Sequence, residues 1–181
     1  FGKKLGIDLR GESPGEVPTL RSWRDIHRAT ISFGQGLTTT PLQMVTAYAA
    51  LANNGRLVRP HLVDRIIPPT CYEPAANRQA GTTCDEVEVK KTELRQVVSP
   101  KTSEQMKLLL EHVIQHAYSR RAVVEGYRVG GKSGTAQVPT PGGGYSSDET
   151  IQSFIGIGPL PAAPLVTLVR LDRPKNRKFA E

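Results

Sequence analysis

GYRVGGKSGTAQ, residues 126–137, is the stretch that decides how this 181-residue chain is interpreted. Its first part satisfies the phosphate-loop pattern G-x-x-x-x-G-K-S/T, which works only where a strand precedes the loop and a helix begins at the lysine. Here Gly134 directly follows Lys132 and Ser133, and the Pro- and Gly-rich residues 138–144 cannot continue a helix. The surroundings of the pattern therefore argue against a nucleotide-binding loop.

Two segments on the N-terminal side of this stretch carry helix signals. Thr40-Pro41-Leu42-Gln43 offers an N-cap, a proline at the first helical position and a glutamine for a capping box, and Asn53-Asn54-Gly55 ends the run. These signals predict a helix over about residues 41–53. Ser99-Pro100 repeats the cap-then-proline signal before a second helix. Its predicted buried stripe consists of Met106, Leu109, Leu110, Val113, Ile114 and Ala117.

The second half of the chain contains strand signals. Residues 127–129, 152–157 and 165–171 are predicted strands, linked by Gly- and Pro-rich loops over residues 139–147 and 159–164. Two helices followed by consecutive strands predict an α+β fold in which an antiparallel sheet packs with helices. Earlier in the chain, residues 1–36 are predicted to be irregular and residues 57–67 to form a short extended arm.

The charge of the chain narrows the classes of partner. Lys and Arg number 24 against 17 Asp and Glu, which gives a net charge of +7 and a pI near 9.6. The basic residues are scattered except for a cluster over residues 170–178, and no zinc-finger, RNP or basic-zipper pattern accompanies them. We therefore expect no nucleic-acid partner. No apolar run approaches the roughly 18 residues that cross a membrane, so any membrane anchor is expected outside this chain.

The cysteines and histidines suggest no metal site. Cys71 and Cys84 form no C-x-x-C pair, and they are either a disulfide that closes a surface loop in an oxidising compartment or two free thiols. His112 and His116 lie one helical turn apart, but no H-E-x-x-H pattern or third ligand accompanies them. We interpret this pair as part of a solvated helix face and expect neither a metal nor a cofactor.

The Lys132-Ser133-Gly134 triplet resembles the K-S/T-G motif of serine β-lactamases and penicillin-binding proteins. Three further blocks resemble the class B penicillin-binding transpeptidases, in the order that this family has them. They are Gly6-Ile7-Asp8-Leu9 with Gly11-Glu12, residues 32–53 beginning Ser-Phe-Gly-Gln-Gly, and Phe154-Ile155-Gly156 with the apolar strand after it. Residues 1–181 thus look like the C-terminal section of a single penicillin-binding transpeptidase domain, with part of a β-lactamase/transpeptidase-like fold.

The resemblance implies a role for each residue of the motif. In this family the triplet lies on a strand where an acyl-D-Ala-D-Ala stem peptide, or a β-lactam that mimics it, docks by β-augmentation, so we expect an exposed edge strand. Lys132 and Thr135 are the expected catalytic residues. Lys132 would supply a positive field, and the backbone N–H of Thr135 would form half of the oxyanion hole. The hydroxyls of Ser133 and Thr135 would hold the substrate carboxylate. Gly134 would allow close approach of the ligand, and Gln137 would lie further along the same edge.

Two motifs of the family are absent from this sequence, since no serine begins an S-x-x-K or an S-x-N pattern. The resemblance implies that the section begins after both motifs and ends before the terminal helix of the domain. We therefore expect the section alone to be inactive and its parent to be a serine-type D,D-transpeptidase of the D-Ala-D-Ala carboxypeptidase family. The alternative is a segment of a pseudoenzyme or a non-catalytic scaffold of the cell-wall machinery.

The resemblance also implies the setting of the parent protein. The expected ligands are peptidoglycan stem peptides and β-lactam antibiotics, and the expected protein partners are other cell-wall synthesis proteins. We expect an extracytoplasmic location, because stem peptides are cross-linked outside the cell membrane.

Overall fold

A computed structural model describes residues 1–68, 71, 87–88, 92–116 and 121–175 of the chain. Among these residues two helices are followed by four short strands, a third helix and three longer strands. In chain order they are α1 (Asp25–Ile31), α2 (Pro41–Ala52), β1 (Arg56–Val58), β2 (Arg65–Ile66), β3 (Val87–Glu88), β4 (Glu93–Gln96), α3 (Pro100–His116), β5 (Gly130–Pro139), β6 (Tyr145–Gly158) and β7 (Leu165–Asp172). The predicted α+β class is confirmed.

Helix α2 forms where its caps predict it. The Thr40 hydroxyl accepts the Gln43 N–H and the Gln43 amide oxygen accepts the Thr40 N–H, each at 3.1 Å, so the capping box is complete. At the other end Gly55 takes a φ of 80° and donates its N–H to the Ala50 carbonyl. A Cβ atom on Gly55 would lie 2.1 Å from the carbonyl oxygen of Val98, so only glycine fits this turn.

Helix α3 also begins as predicted, with the Ser99 hydroxyl accepting the Thr102 N–H, but its buried stripe differs from the prediction. Leu110 and Ile114 are buried and Met106 and Val113 half-buried, whereas Leu109 is 58% exposed. Ala117, the last residue of the predicted stripe, lies outside the described residues. The stripe instead includes two polar residues, Ser103 and Glu111. Ser103 donates its hydroxyl to the carbonyl of Leu51, and Glu111 binds an arginine, so each polar group has a partner that repays its burial.

The segment before β5 corrects a predicted strand. Residues 127–129 are not a strand, and β5 begins only at Gly130. A turn precedes it, in which Gly126 has a φ of 80° and the Tyr127 N–H donates to the Val124 carbonyl. The β propensity of the sequence Tyr-Arg-Val is overridden because tertiary contacts hold this segment outside the ladder.

The principal sheet has the order β5-β6-β7 with antiparallel neighbours, and its register pairs Lys132 with Ile155 and Ile155 with Leu168. The β5–β6 connection is shorter than predicted, because β6 starts at Tyr145 and only residues 140–144 lie between the strands. Three glycines permit this tight turn, and two of them have positive φ values. The predicted connection over residues 159–164 is confirmed.

The core lies where α2 and α3 cover one face of this sheet. Ile157 of β6 is only 2% exposed, and burial of such a side chain contributes roughly 2 kcal/mol. The β6–β7 connection also adds buried residues, which makes it part of the core rather than a surface loop. The residues of this cluster are Leu110, Ile157, Leu160 and Ala163, with Tyr48, Ala52 and Val166 packed against them.

The N-terminal residues are irregular as predicted, except that α1 spans Asp25–Ile31. This helix was missed because seven residues without a buried side chain present no apolar period. Two side chains attach the irregular segment to the rest of the chain. Gln43 donates its amide to the carbonyls of Lys3 and Pro14, and Asp8 accepts the N–H groups of Leu62 and Val63 at 2.8 Å.

Candidate active site

Strand β5 carries the Lys132-Ser133-Gly134-Thr135 motif at an edge of the principal sheet. It pairs with β6 along its whole length, and among the described residues no strand pairs with its other side. The expectation of an edge strand is therefore confirmed for the part of the chain that the structure describes. Lys132 lies within a strand rather than at the start of a helix, which removes the structural basis of a phosphate loop.

The alternation of the strand places the five candidate site residues on two faces. Ser133, Thr135 and Gln137 lie on one face of β5, and Lys132 and Gly134 lie on the other. Lys132, Thr135 and Gln137 are exposed, while Ser133 and Gly134 are half-buried. The structure thus places all five predicted site residues on one strand, with Ser133 and Thr135 two positions apart on the same face.

Two of these side chains hydrogen bond to nearby main chain. The Lys132 ammonium group donates to the carbonyl of the neighbouring Ser133 at 2.8 Å. The Gln137 side chain donates to the Ser146 carbonyl at 3.1 Å, across the β5–β6 hairpin. The second contact turns the Gln137 amide toward β6, on the paired side of β5.

Gly134 lies close to a side chain of the neighbouring strand. A Cβ atom at this position would lie 2.8 Å from the Ser153 hydroxyl oxygen, closer than real Cβ contacts come. Ser153 in turn lies opposite Gly134 in the ladder and donates weakly to its carbonyl at 3.5 Å. The sequence pattern assigned this glycine to ligand approach, and the structure adds a cross-strand reason for it.

An ion pair connects α3 to the segment that leads into β5. The Arg128 guanidinium donates through Nε and one terminal nitrogen to the two carboxylate oxygens of Glu111, each at 2.7 Å. Glu111 is 8% exposed, and the hydrogen bonds from Arg128 lower the pKa of its carboxyl group. Sequence reasoning missed this pair. Its one signal is a glutamate between the apolar Leu110 and Ile114, a position that demands a cationic partner.

The other candidate residues lie apart from β5 in the sequence and have different environments. His112 and His116 are exposed and stack with ring centroids 4.1 Å apart on α3. Across the described residues, no group of three or more His, Cys, Asp or Glu could hold a metal ion. The same residues contain no helix long and apolar enough to cross a membrane. Cys71 is partly buried, whereas Cys84 lies outside the described residues, so their pairing stays a prediction.

Known proteins resemble this chain over almost its whole length. The penicillin binding protein transpeptidase domain matches residues 1–181. Stage V sporulation protein D of Bacillus subtilis is 39% identical over 176 residues, which are 97% of this chain and 25% of that protein. A peptidoglycan D,D-transpeptidase FtsI homolog of Mesostigma viride is 34% identical over 83% of this chain and 25% of that protein.

Solved structures agree with the sequence relatives. Penicillin binding protein 3 of Mycobacterium tuberculosis, complexed with aztreonam, has a TM-score of 0.83 and 31% identity, covering 96% of this chain and 38% of that one. The transpeptidase domain of Burkholderia pseudomallei penicillin-binding protein 3 has a TM-score of 0.75 and 31% identity, covering 96% and 46%. The chain spans about a quarter of the length of the curated relatives named above. By fold, motif and similarity, the chain belongs to the penicillin-binding protein transpeptidase domain family.

Proposed function

We propose that this chain is part of a serine acyl-transferase that cross-links peptidoglycan stem peptides ending in acyl-D-Ala-D-Ala. In this function residues 132–135 form the strand on which the substrate docks, and the nucleophilic serine comes from a part of the polypeptide beyond residues 1–181. Family membership supports the reaction class. The complexes of a related protein with aztreonam and ampicillin support acylation by β-lactams.

The observation that carries this proposal is the placement of two hydroxyl groups and one ammonium group on an open strand edge. Ser133 and Thr135 share a face of β5, and the Lys132 ammonium group lies at the adjacent Ser133 carbonyl. A peptide carboxylate is bound by such donors, and the charged donor strengthens the hydrogen bonds. The edge main chain would meanwhile pair with an extended stem peptide.

Each residue then has a part in the acyl transfer. The serine oxygen attacks the carbonyl carbon of the penultimate D-Ala, and the terminal D-Ala leaves as the amine after it gains a proton. The Thr135 N–H would donate to the oxyanion that forms, and Lys132 would add positive potential and order the proton transfer. The amine of a second stem peptide would then attack the ester, which forms the cross-link and releases the serine.

Gln137 would extend the substrate-binding edge. Its side-chain NH₂ group is held across the hairpin by the Ser146 carbonyl, which fixes the amide plane beside the strand. The amide oxygen would accept a hydrogen bond from the main chain of a docked stem peptide. This contact lies two residues beyond Thr135, at the position where a longer peptide would still follow the strand.

The setting of the parent follows from its substrate. Because peptidoglycan is cross-linked outside the cell membrane, we place the parent on the extracytoplasmic side, with a membrane anchor outside residues 1–181. Other cell-wall synthesis proteins would bring the glycan strands to it. Neither a metal nor a cofactor is part of the proposed chemistry, since a serine nucleophile and hydrogen-bond donors suffice.

A labelling experiment on the full-length protein tests the proposed function. The protein is incubated with a fluorescent penicillin, and intact mass is expected to show one ester adduct per molecule. Lys132→Ala and Thr135→Ala should each slow acylation on the order of a hundredfold. The first removes the positive potential at the developing charge, and the second removes the hydroxyl that binds the substrate carboxylate while the Thr135 N–H remains. Thr167→Ala, an exposed threonine of β7 in the same sheet, is the matched control and should leave the rate unchanged.

The alternative function makes the opposite prediction. A pseudoenzyme or scaffold segment would give no adduct at any penicillin concentration. If the wild type, the two motif variants and the control all acylate at the same rate, β5 is not part of the active site.

A further inference from the structure

Arg128 joins three parts of the molecule just before the motif strand begins. Its guanidinium binds Glu111 of α3 with two parallel hydrogen bonds of 2.7 Å. Its carbonyl oxygen accepts the N–H of Leu160, in the β6–β7 connection, at 2.8 Å. Lys132 follows four residues later, so these contacts hold the chain just before the motif.

The start of β5 also presses directly against α3. A Cβ atom on Gly130 would lie 3.0 Å from the Cβ of Leu110 and 3.2 Å from the backbone nitrogen of Glu111. The missing side chain lets strand and helix approach to this distance. Glu111 therefore contacts β5 through its backbone and Arg128 through its carboxylate, so one helical residue constrains the strand at two points.

The chemistry of the pair favours a geometric role over a large stabilising one. The cost of desolvating a buried carboxylate offsets much of its attraction to a cation, so such pairs are weak evidence for stability. A bidentate arginine-carboxylate pair nevertheless fixes the relative orientation of its two planar groups. Here it fixes the angle at which the chain enters β5.

We propose that Arg128, held by Glu111, is a positioning residue that sets β5 against α3 and so places the Thr135 N–H for acylation. The inference rests on the proposed function, in which β5 is the substrate strand. Arg128 acts through the strand and does not itself contact the ligand. Loss of the pair should therefore slow the covalent step more than it weakens the initial binding of a β-lactam.

The test uses the full-length protein and separates binding from acylation by stopped-flow kinetics with a fluorescent penicillin. Arg128→Met and Glu111→Gln should each lower the acylation rate constant about tenfold, with the dissociation constant of the initial complex changed by less than about twofold. Arg128→Lys keeps the charge but cannot make the two parallel hydrogen bonds of the guanidinium group, so it should retain only part of the wild-type acylation rate. Rates are measured well below the melting temperature of each variant, so that they describe folded protein.

Arg173→Met is the matched control. Arg173 also binds a glutamate, Glu149, at 2.9 Å, but the Glu149 side chain is 50% exposed where that of Glu111 is 10% exposed, and neither residue of the control pair belongs to α3 or β5. This variant should leave both constants unchanged. An unchanged acylation rate in Arg128→Met and Glu111→Gln overturns the inference.

Amide hydrogen exchange over residues 130–135 tests the positioning role without any acylation. Exchange that is faster in Arg128→Met than in Arg173→Met supports the inference, and equal exchange in the two variants overturns it. If Arg128→Met does not fold, Glu111→Gln takes its place in this comparison. A wild-type protein that forms no adduct refutes the proposed function instead. The exchange result then still shows whether Arg128 holds the strand.

Discussion

Ser153 lies opposite Gly134 in the β5–β6 ladder, and its hydroxyl oxygen is 2.8 Å from the point where a Cβ atom of residue 134 would be. The glycine of the motif is thus matched to a particular neighbour on the next strand. A side chain at position 134 must displace this hydroxyl, which is the end of a short but rotatable side chain.

We predict that Gly134→Ala lowers the free energy of unfolding by about 1 kcal/mol, the low end of the cost of overpacking. Adding Ser153→Ala should remove most of this loss, because the clashing oxygen is then absent. Chemical denaturation of the single and double variants measures both effects. Gly142→Ala is the control, since no atom lies within 4 Å of the added Cβ. A double variant no more stable than Gly134→Ala would show that strain lies elsewhere.

Residues 1–181 alone should form no covalent adduct with a fluorescent penicillin. The sequence contains no S-x-x-K motif, so an activated serine nucleophile is missing from this stretch. Intact mass spectrometry of the purified polypeptide after prolonged incubation checks this expectation, with the full-length protein as the positive control. A stoichiometric ester on the polypeptide would contradict it and would require a nucleophile within these residues.

Cys71 and Cys84 should be bridged in protein made in an oxidising compartment. The bridge would close a loop of 14 residues counting both cysteines. Such a loop contributes at most about 3 kcal/mol by restricting the unfolded chain. Titration of free thiols in denatured, unreduced protein decides the matter: a bridge leaves none, and two reactive thiols would refute it. Cys71→Ala should then show the same loss of stability as the reduced protein.

Acid should weaken the contact between α3 and the start of β5. Arg128 lowers the pKa of the Glu111 carboxyl group below its ordinary value of about 4.5. Because the folded pKa is depressed, the stabilisation is fully present above the pKa of the unfolded chain and is lost as pH falls through the folded value. Melting temperatures between pH 7 and pH 3 should show a wild-type advantage over Glu111→Gln that shrinks with acid.

The matched variant for this experiment is Glu149→Gln, at the exposed pair with Arg173. Its melting temperature should follow that of the wild type at every pH, since exposed pairs contribute little. If the difference in melting temperature between wild type and Glu111→Gln stays constant with pH, protonation of Glu111 does not cause the loss of stability in acid.

The β5–β6 turn should be the most mobile part of the motif hairpin. Residues 140–144 contain three glycines and bury almost no apolar surface, so little opposes their conformational entropy. Temperature factors in a crystal structure should rise above the chain average there and fall again at Tyr145, where β6 begins. Values below the average would show that the turn is held by contacts beyond its own hydrogen bonds.

The sequence by itself determined the features that depend on neighbours within a few residues. The caps at Thr40 and Ser99 lie three residues from their hydrogen-bond partners, so the starts of α2 and α3 were predictable. The family resemblance likewise identified residues 132–135 as the motif strand.

Only the tertiary structure decided which residues meet across the chain. Leu109 is exposed and Glu111 is buried because Arg128, 17 positions away, supplies the cation that a buried carboxylate needs. Ser103 is buried because Leu51, 52 positions away, accepts its hydroxyl. Hydrophobic period alone cannot reveal such partners, since the free energy of burying a polar group depends on what the fold brings to it. The strand order β5-β6-β7, which places the motif strand at an edge of the described sheet, is likewise a tertiary feature.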